Sequence, residues 1–312
     1  MIDLKVQGLA HGLPAGFPEI PLNWRTEWKT APSSDGKLNL FSVQHSRLEL
    51  PPDESAPVVK ILFVFHGQGE HCGRYLHFPH YLSEVIDVVA TMDHRGHGRS
   101  EGVRGHVERF DLYVQDARQF VERVCQQWCS RGAKVQAHLF GHSMGGLISL
   151  LLAQEHPELG FQSATFSAPL LGLNFKVPFP KRVAGHALSR VLGAVQLDTG
   201  LDPALISHDP QVVKAYTSDR LVHGKATARF FTELQRSMKK AFSRDFIQAA
   251  TQFIVPLADG VVDAQRALSY AAQLKQPGKR TRTYEGFFHE SFNEVQKDKA
   301  FSDLKSWIKE HS

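Results

Sequence analysis

Short apolar runs alternate along most of the chain with longer stretches in which apolar residues recur every three or four positions. The spacing predicts strands at VVKILFVF (58–65), DVVATMD (87–93), VQAHLF (135–140), SATFSA (163–168), QFIVPL (252–257) and KRTRTYE (279–285), each followed by a loop with Gly, His or Pro. Apolar strands of this kind suit a sheet buried on both faces, and crossover helices join its parallel neighbours. Phe110, Val114, Ala117, Val121, Val124 and Trp128 mark one such helix, and Phe301, Leu304 and Ile308 mark another near the end. The region 24–50 reads differently. SSDG at 33–36 is a turn signal between WRTEWKT and KLNLFSVQH, which predicts an antiparallel opening.

The interval between the strands ending at Ala168 and starting at Gln252 is too long for a simple connection, so it must hold structure of its own. RVAGHALSRVLGAV (182–195) and KATARFFTELQRSM (225–238) are amphipathic helix candidates within it. The chain therefore reads as one α/β domain over 1–312, a mostly parallel sheet with helices on both faces and an inserted helical cap at 170–250. Length alone, at about 150 residues per domain, also allows two domains.

Composition narrows the function classes. With 312 residues, 42% hydrophobic and 22% charged, the chain can bury a substantial core. No apolar run approaches the roughly 18 residues of a membrane span, and the start, MIDLKVQGLAHGLPAGFPEIPL, has no secretory pattern, so a cytoplasmic protein is expected. Three cysteines, Cys72, Cys125 and Cys129, argue against a disulfide framework. A net charge of +4 is too small to imply nucleic acid. Its distribution is uneven: residues 170–250 hold 12 Lys and Arg against 6 Asp and Glu.

The chemistry centres on Gly141-His142-Ser143-Met144-Gly145, which follows VQAHLF and precedes GLISLLLAQEH. In a G-x-S-x-G turn between strand and helix, the glycines let the backbone reverse sharply and hold the serine hydroxyl at the strand tip, near the helix N-terminus. Standing alone, the motif would read as a glycine-rich turn whose serine caps a helix. A serine nucleophile requires a base, and the base an orienting acid. In a sheet of this kind both lie downstream at strand ends, which selects Asp259 after QFIVPL and His289 after KRTRTYE. Asp263 is the rival acid, read instead as the cap of the following helix. Of 17 histidines, His289 is the one whose chain order and strand position agree. Oxyanion donors are expected from the backbone of Met144 and of Gln68, in the loop HGQGEH (66–71).

Four separated blocks, FHGQGEHCGRY (65–75), DHRGHGRSEG (93–102), GHSMGG (141–146) and YEGFFHE (284–290), resemble the monoacylglycerol lipase and lysophospholipase group of α/β-hydrolases, related to the serine aminopeptidase S33 families. The segment LDPALISHDPQVVKAYTSDRLVHG resembles it too, so the similarity runs from about residue 37 to about 308. The resemblance implies an α/β-hydrolase fold, a Ser143, Asp259, His289 triad and an oxyanion hole from Gln68 and Met144; with no G-x-x-x-x-G-K-[ST] and no H-E-x-x-H in the chain, no cofactor or metal is expected. The resemblance also makes the loop holding Asp93, Arg95, His97 and Arg99 a structural neighbour of the site. Where the family often has a glycine ahead of its acid, this chain has Pro256-Leu257-Ala258.

The expectation is a serine carboxylic-ester hydrolase acting on a small lipid ester, either monoacylglycerol or lysophospholipid. Leu171, Leu173, Phe175, Val177 and Phe179 are candidates for an acyl channel, with Phe175 and Phe179 named as acyl-binding; core packing explains the same residues. The basic surplus of the cap suits peripheral contact with an anionic membrane surface, and solvated helix faces explain the same charges. An S33-type aminopeptidase or amidase and a short-chain carboxylesterase are the competing readings. Epoxide hydrolase and dehalogenase chemistry would place aspartate at position 143. The sequence leaves oligomeric state and acyl-chain length open.

Overall fold

The computed structural model describes residues 13–14, 16–48, 56–174 and 193–312. In chain order its strands are β1 (Trp24–Pro32), β2 (Asn39–Arg47), β3 (Val58–Phe65), β4 (Val88–Met92), β5 (Lys134–His142), β6 (Ser163–Ser167), β7 (Gln196–Asp198), β8 (Lys225–Thr227), β9 (Ala250–Pro256) and β10 (Lys279–Tyr284). Eight of these form one sheet in the order β1-β2-β4-β3-β5-β6-β9-β10. β2 runs antiparallel to both of its neighbours, β1 and β4, and every later pairing is parallel. The antiparallel opening and the parallel core are as expected from the alternation of patterns.

Strand ends differ from the apolar runs by one or two residues, for reasons of pairing. β5 continues to His142 because Gly141 and His142 pair with Phe166 and Ser167 of β6. β9 starts at Ala250, opposite Ser163. It stops at Pro256, before Leu257, whose N–H turns to the Tyr284 carbonyl (3.0 Å).

The two-residue period of β3 feeds two cores. Val59, Ile61, Phe63 and Phe65 face one, Leu62 and Val64 the other. The first core is covered by α2 (Asp111–Cys129) and α3 (Met144–Glu155), and the second by α1 (Phe78–Leu82) and, at the chain end, α7 (Lys297–Glu310). The apolar spacing of α2 and α7 follows these buried faces. α3 is apolar nearly all round, and its residues 144–153 are buried, which fixes the helix that follows Ser143 deep in the molecule.

Between β6 and β9 the described residues hold β7 and β8, paired antiparallel, with α4 (Pro210–Ser218) and α5 (Ala228–Phe242). The segment is therefore a mixture of helix and ribbon. The expected helix at 225–238 begins three residues late: Lys225–Thr227 are strand, and Thr227 Oγ1 caps α5 by accepting the Phe230 N–H (3.1 Å). The candidate helix at 182–195 lies outside the described residues except for its last three positions. α6 (Ala264–Gln273) follows β9.

Candidate active site

Ser143 sits on the turn from β5 to α3 with φ 54° and ψ −117°, a strained backbone for a residue with a Cβ. Such conformations cost about 1–3 kcal/mol and persist only where the surroundings over-determine them. Here the Ser143 N–H donates to the Ser167 carbonyl (3.0 Å), and the Ser143 carbonyl accepts from Leu147 (3.1 Å) and Leu170 (2.9 Å). The flanking glycines are required by space. A Cβ on Gly141 would stand 2.3 Å from the Gly145 carbonyl oxygen, and one on Gly145 would stand 2.2 Å from that of Phe65.

Asp259 and His289, on the loops after β9 and β10, are brought together with Oδ2 and Nδ1 at 2.7 Å; each residue is 5% exposed. Asp259 Oδ1 accepts the N–H groups of Val261 (2.8 Å) and Val262 (3.0 Å). The carboxylate thus accepts a hydrogen bond from Nδ1–H and leaves Nε2 free to exchange a proton. Burial pushes the Asp259 carboxyl up, but His289 and the two N–H donors outweigh it and hold the carboxyl below its usual range. Burial pulls His289 down, yet Asp259, with Glu290 and Glu70 behind it, holds the imidazole above its usual value. Each partner favours the charged form of the other.

Asp263 lies elsewhere. It is the N-cap of α6, with Oδ1 accepting the N–H groups of Gln265 (2.9 Å) and Arg266 (3.2 Å). The rings of His289 and His142 are 4.7 Å apart, which puts the His289 imidazole against the residue preceding Ser143. Burial and His289 push His142 down to about 4, so it adds no competing cation. Among the described residues no hydrogen bond joins Ser143 to His289; such bonds often form only with substrate present.

The loop after β3 closes on the same point. A Cβ on Gly67 would lie 3.2 Å from Ser143 Cβ and 2.9 Å from Glu70 Oε1, and Glu70 Oε1 accepts the Gly67 N–H (2.6 Å). The Gln68 side chain is turned away, its amide donating to the Lys225 carbonyl (2.9 Å) while its oxygen meets His97 Nε2 (3.0 Å). The backbone N–H groups of Gln68 and Met144 donate no hydrogen bond to the described residues. The neighbouring polar loop is a brace. Asp93 accepts the N–H groups of Cys72 and Arg99 (2.7 Å each), and Arg95 forks onto Asp116 (2.7 and 2.9 Å).

Phe175, Val177 and Phe179 lie outside the described residues. Leu171 is buried in the first core, and Leu173 pairs with Val262 on the loop after Asp259. Cavities of about 310 and 290 Å³ open elsewhere on the protein, and neither is lined by Ser143, Asp259 or His289. The sequence reading missed Glu70, Arg74 and Glu290, which pack beneath the site. Their signal was the i, i+4 acid and base of EHCGR and the acid directly after His289.

Comparison with known proteins follows the same outline. The profile of the serine aminopeptidase S33 family matches residues 56–296. A monoglyceride lipase of Mus musculus is 30% identical over 254 residues, covering 80% of this chain and 82% of that protein. A phospholipase of Bacillus subtilis is 24% identical over 255 residues, covering 81% and 96%. The solved structure of a soluble variant of monoglyceride lipase from Saccharomyces cerevisiae, in complex with a substrate analogue, superposes with a TM-score of 0.80 at 20% identity, covering 96% of this chain and 99% of that one.

Proposed function

Because the chain belongs to the serine aminopeptidase S33 family, we propose that it is a serine carboxylic-ester hydrolase releasing fatty acid from monoacylglycerols or lysophospholipids. The observation that carries this reading is the 2.7 Å Asp259–His289 pair set beside a strained serine on a strand-to-helix turn. Ser143 Oγ attacks the ester carbonyl carbon while His289 Nε2 takes its proton. The oxyanion is held by the N–H groups of Gln68 and Met144. Collapse expels the alcohol, which His289 protonates, and leaves an acyl-enzyme. His289 then takes a proton from water, whose oxygen attacks the acyl carbon; collapse returns the proton to Ser143 and frees the acid. Asp259 stays ionised throughout.

Engagement of the acids favours an ester over a free-amine substrate. An aminopeptidase needs a carboxylate for the substrate ammonium, and all six acids of residues 170–250 are engaged. Asp202 and Asp209 cap helices, Asp219 holds His71, Asp198 pairs with Lys225, Glu233 with Arg236 and Asp245 with Lys275. Incubating the protein with a mixed lipid extract should deplete monoacylglycerols or lysophospholipids and release free fatty acid, with aminoacyl-arylamides untouched. Arylamide turnover with intact lipids would assign the aminopeptidase activity instead.

The inserted segment, taken as a cap over 170–250, also suits a lipid surface. Val195 and Leu197 are exposed on and beside β7, and apolar tips of this kind fit insertion into the surface of a bilayer. Leu197→Asp should weaken sedimentation with vesicles containing phosphatidylserine while a soluble short-chain ester is turned over as before. Unchanged sedimentation would remove the hairpin from any membrane contact. No described helix is long and apolar enough to cross a membrane.

A further inference from the structure

Beneath the proposed site lies a buried charge cluster that the reaction does not use. Arg74, 1% exposed, forks onto Glu290, with Nη1 to Oε1 at 2.6 Å and Nη2 to Oε2 at 2.7 Å. The same Nη1 donates to Glu70 Oε2 at 2.8 Å. Glu70 and Glu290 are 3% and 5% exposed.

Each carboxylate leads to a different part of the site. The other oxygen of Glu70 accepts the Gly67 N–H and the Tyr75 hydroxyl (2.8 Å), so Glu70 orients the peptide just before Gln68. Glu290 directly follows His289. Its N–H donates to the Ile206 carbonyl (2.8 Å) and its Oε2 accepts from Asn293 (2.9 Å). The guanidinium stacks on the Tyr216 ring of α4, 4.9 Å from its centroid.

Stability alone gives little reason for such a cluster. Two carboxylates and a guanidinium out of water carry a desolvation cost that a hydrophobic replacement avoids, and such replacements are often neutral or stabilising. Among the described residues Arg74 Nε has no hydrogen-bond partner, so the guanidinium is oriented by the two carboxylates and not by full satisfaction of its donors. A planar fork, however, sets distance and angle in a way that apolar packing does not.

We propose that Arg74 is a positioning residue whose fork, shared between Glu70 and Glu290, sets the spacing of the oxyanion loop against the loop carrying the base. The inference rests on the serine-hydrolase reading for its effect on rate. It also makes an electrostatic demand that does not depend on turnover. The cluster carries one excess negative charge, and the charged or titratable groups acting on His289 are Asp259, Glu290 and Glu70, with neutral His142 against its ring.

The test uses the full chain with Glu290→Gln and Arg74→Lys. Histidine ring nitrogens are followed by NMR, with the His289 signal identified by its absence in His289→Gln. In the wild type the His289 midpoint should lie above the ordinary imidazole value, and in Glu290→Gln it should move to lower pH. Arg74→Lys keeps the charge and loses the fork. It should slow fluorophosphonate labelling and lower kcat by about 10²-fold, the scale of a misplacement near 1 Å, with KM nearly unchanged. A His289 midpoint that stays in place in Glu290→Gln, or Arg74→Lys with wild-type kcat, overturns the proposal. Absence of fluorophosphonate labelling in the wild type instead overturns the serine-hydrolase reading, and the NMR titration judges the cluster separately.

Discussion

Ser143→Ala should abolish labelling by a fluorophosphonate and lower ester turnover by on the order of 10⁶-fold, the scale seen when a triad nucleophile is removed. The fold should survive. Alanine keeps the Cβ that the turn at φ 54° already accommodates, and the three main-chain hydrogen bonds that hold the position involve no side-chain atom. No nearby thiol can substitute. Cys72 is buried, and burial together with Asp93 holds its thiol well above the usual range, so it is neutral and inert. Labelling that persists in the alanine variant would remove Ser143 from the mechanism.

Asp259→Asn should cost about 10⁴-fold in kcat. Asparagine can keep Oδ1 as the acceptor for Val261 and Val262, which turns its NH2 toward His289 Nδ1. The imidazole must then carry its proton on Nε2, the nitrogen required to accept one from Ser143. The matched control is Asp263→Asn. Asp263 only caps α6, and asparagine is as good a cap, so activity should stay within a few-fold and stability within a few tenths of a kcal/mol. If the losses were reversed, Asp263 would have to be the acid and the 2.7 Å pair a structural one.

Legibility in the sequence followed the range of the interactions involved. A parallel strand buried on both faces is apolar along nearly all its length, so the apolar run 58–65 coincides with β3 at both ends. The same holds for the elbow. The steric demand at Gly141 and Gly145 comes from backbone within a few residues or from the adjacent strand, and it leaves a motif of five positions. Asp259 and His289 could be selected by chain order because parallel strands deliver their following loops to one edge of the sheet. Their approach to 2.7 Å across a separation of 30 residues was an expectation until the tertiary structure placed them.

The inserted segment shows where pattern reading fails. Lys225–Thr227 carry the helical spacing of the residues that follow, yet they pair with Gln196–Asp198, and Thr227 becomes the cap. A partner nearly thirty residues away decides that boundary, and local propensity does not contain it. The buried cluster is the stronger case. Glu70 and Arg74 look like an ordinary surface pair at helical spacing, and Glu290 is 216 residues from Arg74. Sequence alone determined the layered sheet, the serine turn and the placing of Asp259 and His289 on successive strand-end loops, because each depends on period or on neighbours in the chain. Which charges are buried, and that one guanidinium joins the loops beside Ser143 and His289, was decided only by tertiary structure, since burial of a charge depends on what the rest of the chain places around it.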